Sequence, residues 1–396
     1  MNNNYKARAS LVHTSRAMYA VNWMDIAPAL AYIKQSLYVS TVELGELVTA
    51  FYAGLFLFQL VGGYLSSLIG DKTTSLIGLF FVGIFAITSG ISVTFSELLI
   101  SRFLAGLSAA LFFSPALSLI ASIVPKDKYT FHIGLYNAAA GIGSGTGILG
   151  WSILDIYIGY RNSFLTAGIV TLILFFILQF LFRNIPNVKT HRNDIFRSLK
   201  NVISSKLIIF TALIGSASMI SYTIIGQLLV YYLEFLRFSS FTSGLISSLF
   251  LLIGFAGGII AGYHYSLTEH RLAVFISSNA MVSILLIVMG FIFNIISIVI
   301  VIILMGVLTM YGFSAIYAII RHFARRDLVS LSLSYTNTIQ LIIAAIVPLI
   351  FTYVYELLNY RISWILMGLI SLAFILFIIP IHKEINTKLY GNIETE

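Results

Sequence analysis

The 396-residue chain contains no cysteine and only 10% charged residues. The missing thiols exclude disulfides and thiol catalysis. The shortage of charge excludes more. An average soluble domain carries about 25% charged residues, whereas here 59% of the chain is apolar. Such a chain cannot cover a surface with polar groups in water, so lipid must be its solvent. There is no Gly-x4-Gly-Lys-Ser loop to cradle phosphates, so ATP hydrolysis is not expected and energy must come from an ion gradient or from the solute's own. None of the seven histidines pairs at metal-ligand spacing, so neither a metal nor a cofactor is expected. The polar, basic stretch Met1 to Arg16 is not followed by a small-residue cleavage site. The first apolar stretch is therefore expected to persist as a membrane helix. A formal charge of +8 could suggest nucleic acid, but Lys and Arg are dispersed over short loops between apolar runs. No nucleic-acid partner is expected.

What the chain has is long hydrophobic runs. A spanning helix needs about 20 apolar residues, and twelve stretches qualify: 17–35, 42–66, 73–92, 96–123, 130–155, 162–183, 206–234, 241–265, 271–292, 295–321, 329–356 and 362–382. The longest polar linker, 184–205, divides them into six and six. The expected organisation is a cytoplasmic segment 1–16, a six-helix bundle 17–183, a cytoplasmic linker 184–205, a second bundle 206–382 and a cytoplasmic tail 383–396. With the N-terminus inside, 18 of the 23 Lys and Arg fall on the cytoplasmic side, Arg16 among them. The outer loops hold Lys34, Arg161, Arg237 and Arg361, and Arg102 lies within a span. That bias predicts a multi-pass protein of the plasma membrane with both termini in the cytoplasm.

The two halves repeat at an offset of 200 residues. Tyr160-Arg161-Asn162-Ser163 returns as Tyr360-Arg361-Ile362-Ser363, Gly168 as Gly368, Lys126-Asp127 as Arg326-Asp327, and Asn137 as Asn337. Gly106-x6-Phe113-Ser114 returns as Gly306-x6-Phe313-Ser314, and Gly62-Gly63 returns as Gly257-Gly258 at an offset of 195. Two related membrane-embedded halves with a solute held between them are the usual build of a secondary transporter.

Four local patterns add to this. Gly63-Tyr64-Leu65 is followed by Gly70-Asp71-Lys72, the fourth span contains Arg102-x3-Gly106, and the fifth contains Gly141-x-Gly143-x-Gly145-x-Gly147-x2-Gly150. Tyr160-Arg161 and its repeat Tyr360-Arg361 open spans six and twelve. Together these resemble the motifs of the major facilitator superfamily over residues 15–382. The resemblance implies an all-α polytopic fold with twelve transmembrane helices in two pseudo-symmetric six-helix bundles. It marks Gly63, Gly70, Asp71, Lys72, Gly106, Gly141, Gly145, Arg161 and Arg361 as conformational-motif residues. Ser67 stands where the superfamily usually has Asp, which weakens the usual latch of the loop between spans two and three. The glycine run lacks the Gly-Pro pair of the antiporter motif. Gln59 ahead of Gly62-Gly63, with Tyr136-Asn137, resembles organic-anion symporters; the Asp25 and Arg102 combination resembles multidrug–proton antiporters.

The residues themselves point to Asp25 and Arg102. A carboxylate at the bilayer centre costs about 2.5–3.5 kcal/mol, so Asp25 must face the bundle or water. Asn22, Asp25, Ala29 and Tyr32 recur at spacings of three and four and predict one polar helix stripe. Asp25 is read as the proton carrier, as a permanently ionised partner of an Arg, or as an N-cap at a bend near Pro28. Arg102 stays charged at any relevant pH. It could tune Asp25, grip a substrate carboxylate or phosphate, or brace helices. Its repeat position is Ile302, so fold symmetry does not require it. Candidate solute-binding groups are Asn22, Tyr52, Gln59 and Arg102 in the first half and Tyr222, Gln227, Tyr311, Tyr335, Asn337 and Gln340 in the second. Pro28, Pro115 and Pro348 should bend their spans. Glu43, Glu46, Glu234 and Glu356 read as solvated or gate residues.

The expected function is alternating-access transport of a small organic solute, an organic anion or related metabolite, coupled to protons. A multidrug–proton antiporter and an uncoupled facilitator are the alternatives. An enzyme is not expected, because one central acid and one central Arg stand without a His beside them. The expected partners are the solute, protons and the lipid bilayer, and the protein is expected to act as a monomer.

Overall fold

In the computed structural model the described residues are 4–125, 128–183, 185, 187, 200, 202–268, 270–324 and 328–390. Most of the 184–205 linker lies outside them, as do Lys126-Asp127, Arg326-Asp327 and residues 391–396. Among the described residues the chain is helical throughout. The elements are α1 (Asn4–Trp23), α2 (Ile26–Leu37), α3 (Thr41–Ile69), α4 (Asp71–Ile91), α5 (Phe95–Ile123), α6 (Tyr129–Ile158) and α7 (Tyr160–Leu181). They continue as α8 (Lys206–Ile214), α9 (Ser216–Phe235), α10 (Ser240–Leu267), α11 (Arg271–Met289), α12 (Ile295–Phe323), α13 (Val329–Leu357), α14 (Tyr360–Ile375), a 3₁₀ stretch Leu376–Ile381, and α15 (His382–Tyr390). Ten of the described helices are long and apolar enough to cross a membrane. The other two expected spans are present as the α1–α2 pair and as the 30-residue, glycine-rich α6. The residues group into two compact units, 1–192 with 227–252, and 193–226 with 253–396. The C-terminal part of α9 and the first part of α10 thus belong with the first unit.

Local chemistry sets the helix ends. The Ser40 hydroxyl accepts from the Glu43 amide at 3.2 Å while Glu43 Oε2 accepts from the Ser40 amide at 2.7 Å. This reciprocal cap starts α3, and it gives Glu43 a structural task where the sequence suggested a solvated or gate residue. Thr94 and Glu97 do the same for α5. The first span is broken where the apolar pattern runs on: Met24 and Asp25 leave the helix. The stripe expected from Asn22 to Tyr32 is therefore split between two helices. Pro28 sits in the first turn of α2, where its missing N–H is one of the unpaired donors anyway. The seventh span is likewise divided, at Gly215 between α8 and α9.

The repeat has a packing reason. A Cβ on Gly106 would lie 1.9 Å from the Phe51 carbonyl oxygen, and one on Gly54 would lie 2.1 Å from that of Phe103. α3 and α5 therefore cross backbone to backbone, the approach that small residues permit in lipid. In the second unit a Cβ on Gly257 would lie 2.0 Å from the Val307 carbonyl oxygen. Gly90 packs on the Arg161 carbonyl and Gly290 on that of Arg361, so α4–α7 and α11–α14 are the same contact 200 residues apart. In the glycine run, Gly143 and Gly147 abut the backbone of α1 at Ala17 and Val21, and Gly145 meets the Leu252 side chain. Gly141, Gly150 and Gly63 have open space around the Cβ position.

These distances separate the glycines by consequence. Gly106→Ala should lower thermal stability by about 1–3 kcal/mol, the usual cost of overpacking. Gly63→Ala should stay within about 0.5 kcal/mol of the parent. Melting of the purified protein in detergent measures both, and equal effects would show that the α3–α5 approach is not limiting.

Candidate functional site

Asp25 occupies the N-cap position of α2 but makes no cap hydrogen bond with its side chain. The carboxylate turns instead to α5, where Arg102 Nη1 donates to Oδ1 at 2.7 Å. The two side chains are 3% and 2% exposed. The guanidinium also lies over the Phe51 ring, 5.0 Å from its centroid, and its Nε has no hydrogen-bond partner. The break in the first span thus frees the Asp25 side chain to meet a charge on the fourth. The N-cap reading gives way to the ion pair, and the other two readings of Asp25 stay compatible with it.

Around the pair lies a cavity of about 10 Å³ lined by Tyr19, Asn22, Trp23, Phe51 and the small residues Ala86, Ala105 and Ala109. That is about the volume one water needs. Asn22 Nδ2 donates to Thr171 Oγ1 on α7 at 2.8 Å and to the Met18 carbonyl at 2.9 Å, leaving its Oδ1 unpaired. The Tyr52 hydroxyl accepts from Trp23 Nε1 at 3.4 Å. Gln227 Nε2 donates at 3.4 Å to the Trp23 carbonyl, the residue just before the break, and its Oε1 is unpaired. Gln59 sits further along α3 and donates to Ser114 Oγ at 3.1 Å. The structure therefore brings Asn22, Asp25, Tyr52, Arg102 and Gln227 together.

The remaining candidates fall in the second unit. Gln340 is fully buried with both amide atoms unpaired, the mark of a polar group waiting for a partner. Tyr222 stands edge-on to Phe313. Tyr311 bonds His264 Nδ1 at 2.7 Å within an apolar cluster that includes Phe275 and Ile316, an anchoring role more than a pocket one. Tyr335 packs against Val202, Ile208 and Leu328, and Asn337 is half-buried.

The conformational motifs are engaged inside each unit. Asp71 accepts from Ser66. Lys72 Nζ donates to the Ile185 carbonyl at 2.7 Å and to that of Phe182 at 3.2 Å, fastening the loop at Gly70 to the end of α7. Ser67 is half-buried and donates to the Tyr64 carbonyl within its own turn. Gly70 itself has φ of 94°, open to glycine at little cost. Arg161 Nε donates to the Tyr160 hydroxyl, and Arg361 Nε donates to the Gly290 carbonyl.

Three features escape sequence reading. Arg16, counted among the cytoplasmic cations, is only 7% exposed. Its guanidinium lies over the rings of Tyr19, Phe113 and Tyr136 at 4.9, 4.8 and 5.2 Å, and Nε and Nη1 lack hydrogen bonds. One turn earlier, His13 Nε2 lies 3.0 Å from His132 Nδ1, with the rings stacked. Asp155, and Glu234 where the sequence suggested a solvated or gate residue, are acids with buried carboxylate oxygens. The signal for Asp155 was available: its repeat position is Tyr355, the same asymmetry that singles out Arg102.

The Major Facilitator Superfamily model matches residues 12–348. The chain belongs to the major facilitator superfamily. Membership makes it a multi-pass membrane protein and places it among transporters, not enzymes. It is 31% identical over 144 residues to an uncharacterised MFS-type transporter of Methanocaldococcus jannaschii, covering 36% of this chain and 37% of that one. It is 29% identical over 202 residues to the multidrug efflux protein YfmO of Bacillus subtilis, covering 49% and 50%. The chain thus spans half or less of the length of these curated relatives. Among solved structures, a bacterial homolog of the human lysosomal transporter Spinster superposes with a TM-score of 0.79 at 12% identity, covering 100% of this chain and 98% of that one. That likeness carries the twelve-helix fold of the superfamily.

Two expectations follow from the geometry. Removing one partner of a buried pair strands the other charge, at about 3–5 kcal/mol. Asp25→Ala should lower the melting temperature sharply, and adding Arg102→Met should recover most of the loss. A stable Asp25→Ala protein would mean that Arg102 has another partner. The His13–His132 contact needs one protonated and one bare nitrogen. Partial burial, reinforced by the neighbouring His132, holds His13 down at about 4 against an ordinary 6.5. A depressed histidine contributes stability above pH 6.5 and loses it as pH falls towards 4. Melting should therefore drop over that window, and His13→Gln should flatten the drop.

Proposed function

We propose that the protein exports a small amphiphilic organic solute in exchange for protons, with Asp25 as the acid that changes protonation and Arg102 as its counter-charge. The observation that carries this reading is the buried 2.7 Å bond between them. A buried ion pair is held by mutual attraction against a desolvation cost of several kcal/mol per ion. Protonating Asp25 cancels its half of that attraction and leaves Arg102 uncompensated, so the local helices must rearrange or admit water. Proton binding and a change of access are thereby tied to the same atoms, as alternating access requires. The aromatic lining by Tyr19, Trp23 and Phe51 suits a flat apolar body. The resemblance of the Asp25–Arg102 pair to multidrug–proton antiporters, and the efflux function named for the Bacillus relative, support exchange over uptake.

A second reading, proton symport of an organic anion, is favoured by Arg16. Two of its nitrogens are unpaired in an aromatic cage, and a carboxylate would satisfy them. On either reading the termini lie in the cytoplasm and the chain sits in the plasma membrane, as the distribution of Lys and Arg supports.

Proteoliposomes with an imposed pH difference test the proposal, with ethidium and norfloxacin as exported probes and malonate and lactate as anions. The wild type should move ethidium or norfloxacin against its gradient at the expense of the pH difference. Asp25→Asn should abolish that drive while retaining solute exchange at equal pH. Accumulation by Asp25→Asn driven by pH alone would end the coupling assignment. Accumulation of malonate or lactate with protons, lost in Arg16→Gln, would establish symport in place of export.

A further inference from the structure

α4 and α7 touch backbone to backbone near their middle. A Cβ on Gly168 would lie 2.6 Å from the Gly83 carbonyl oxygen, and one on Gly83 would lie 3.2 Å from that of Gly168. Towards the start of α4 and the end of α7 the facing residues change from glycine to phenylalanine. The Phe80 ring meets Phe175 at 5.1 Å between centroids and Phe81 at 5.3 Å. At this end a groove of about 540 Å³ lies between the two helices, within the first unit. Its wall is apolar and largely aromatic, with Leu76, Ile77, Phe80, Phe81 and Phe175. Lys72, Gln179 and Arg183 form its polar end.

Charge, exposure and the repeat together define an occupant. Lys72 and Arg183 are the only charged residues among the described ones that line the groove, and both are cations. Lys72 Nζ uses two donors on the Ile185 and Phe182 carbonyls, and an ammonium has three. Arg183 is exposed, and among the described residues neither cation forms a salt bridge. Phe81 is 40% exposed, and Phe176 and Phe180 on the adjoining face of α7 are 62% and 76% exposed. In a multi-pass membrane protein such a surface meets acyl chains. The close approach of the helices recurs in the second unit, where a Cβ on Gly368 would lie 2.6 Å from the Ser283 carbonyl oxygen. The groove residues do not recur: Phe80, Phe81, Phe175 and Gln179 answer to Ala280, Met281, Ile375 and Ile379. The packing therefore does not require them. A soluble anion would leave the aromatic wall unused, and a zwitterionic lipid brings an ammonium that two cations repel. An acyl chain carrying an anionic head uses both parts, and basic pockets between spans seat such headgroups.

We propose that this groove binds one anionic phospholipid, with its phosphate on Arg183 and the free donor of Lys72 and one acyl chain along Phe80, Phe81 and Phe175. On the topology proposed above the lipid comes from the cytoplasmic leaflet. Binding itself depends neither on that orientation nor on the solute or Asp25. Because Lys72 also fastens the Gly70 loop to the end of α7, the lipid sits on the same junction.

Native mass spectrometry of the full chain, released from dioleoylphosphatidylcholine nanodiscs with increasing dioleoylphosphatidylglycerol, counts the lipids that stay bound. One phosphatidylglycerol should be retained in preference to phosphatidylcholine. Arg183→Gln should weaken that retention about fivefold, the usual worth of one basic residue at an anionic surface, and Arg183→Lys should restore most of it. Lys72→Gln also removes two loop bonds, so Arg183 carries the test. Phe81→Ala should lower retention of both lipids without changing the preference between them. A phosphatidylglycerol with a diazirine on its acyl chain should label Ile77, Phe81 or Phe175. Equal retention of the two lipids, undiminished retention in Arg183→Gln, or labels confined to other helices would overturn the site. Displacement of the lipid by millimolar inorganic phosphate would make it a site for a soluble anion instead. A dimer that forms in place of the lipid complex and is lost in Phe81→Ala would make the groove an interface between two copies of the chain.

Discussion

The cost of placing charge in an apolar medium governs this structure. Every ionised group away from the membrane faces must find a counter-charge, a set of dipoles or a proton. The pair of Asp25 and Arg102 is the plainest solution, two side chains almost without exposure joined at 2.7 Å. Reaching it requires the first span to leave the helix at Met24 and Asp25. It also requires the small residues Ala105 and Ala109 beside Arg102, which let the aromatic side chains of α1 and α3 close over the pair. The pair is thus less a source of stability than a constraint on how α1, α2, α3 and α5 can be arranged. Any event that neutralises Asp25 relaxes that constraint at once.

Close backbone packing supplies the rigidity against which such a change can act. Lipid offers little hydrophobic drive between helices, so contact depends on shape. Gly54 and Gly106 place α3 and α5 within one atom's width, and Gly143 and Gly147 do the same for α6 against α1. The α1 side of the Asp25 site is therefore fixed to a helix whose far end carries Asp155, and the α5 side to a helix capped by Thr94 and Glu97.

Much of this was legible in the sequence, and the remainder shows what patterns omit. The spans, the repeat and the Arg102 asymmetry follow from hydropathy and from comparing positions 200 apart. A bend near Pro28 was expected, but an apolar run does not record which residue leaves the helix. Here the polar Asp25 departs, and proline merely fits the new first turn. Glu43 read as a gate because charge near a span end suggests solvent, whereas a Ser three residues earlier made it a cap. Arg16 read as a cytoplasmic cation by its place in the chain, although three aromatic rings, two of them more than 90 residues away, enclose it.

Comparing the halves separates architecture from chemistry. Gly90 meets the Arg161 carbonyl as Gly290 meets that of Arg361, and Gly168 meets Ile87 as Gly368 meets Ile287, because a duplicated backbone demands the same close approaches. Four buried charged residues do not repeat. Asp25 answers to Ile225, Arg102 to Ile302, Asp155 to Tyr355 and Arg16 to Ser216. A residue kept for packing should recur wherever the packing recurs. One that stands in a single half, at a burial that penalises it, is there for something the fold does not need. By that argument the first unit handles charge, whereas the second offers neutral amide and hydroxyl groups such as Gln340.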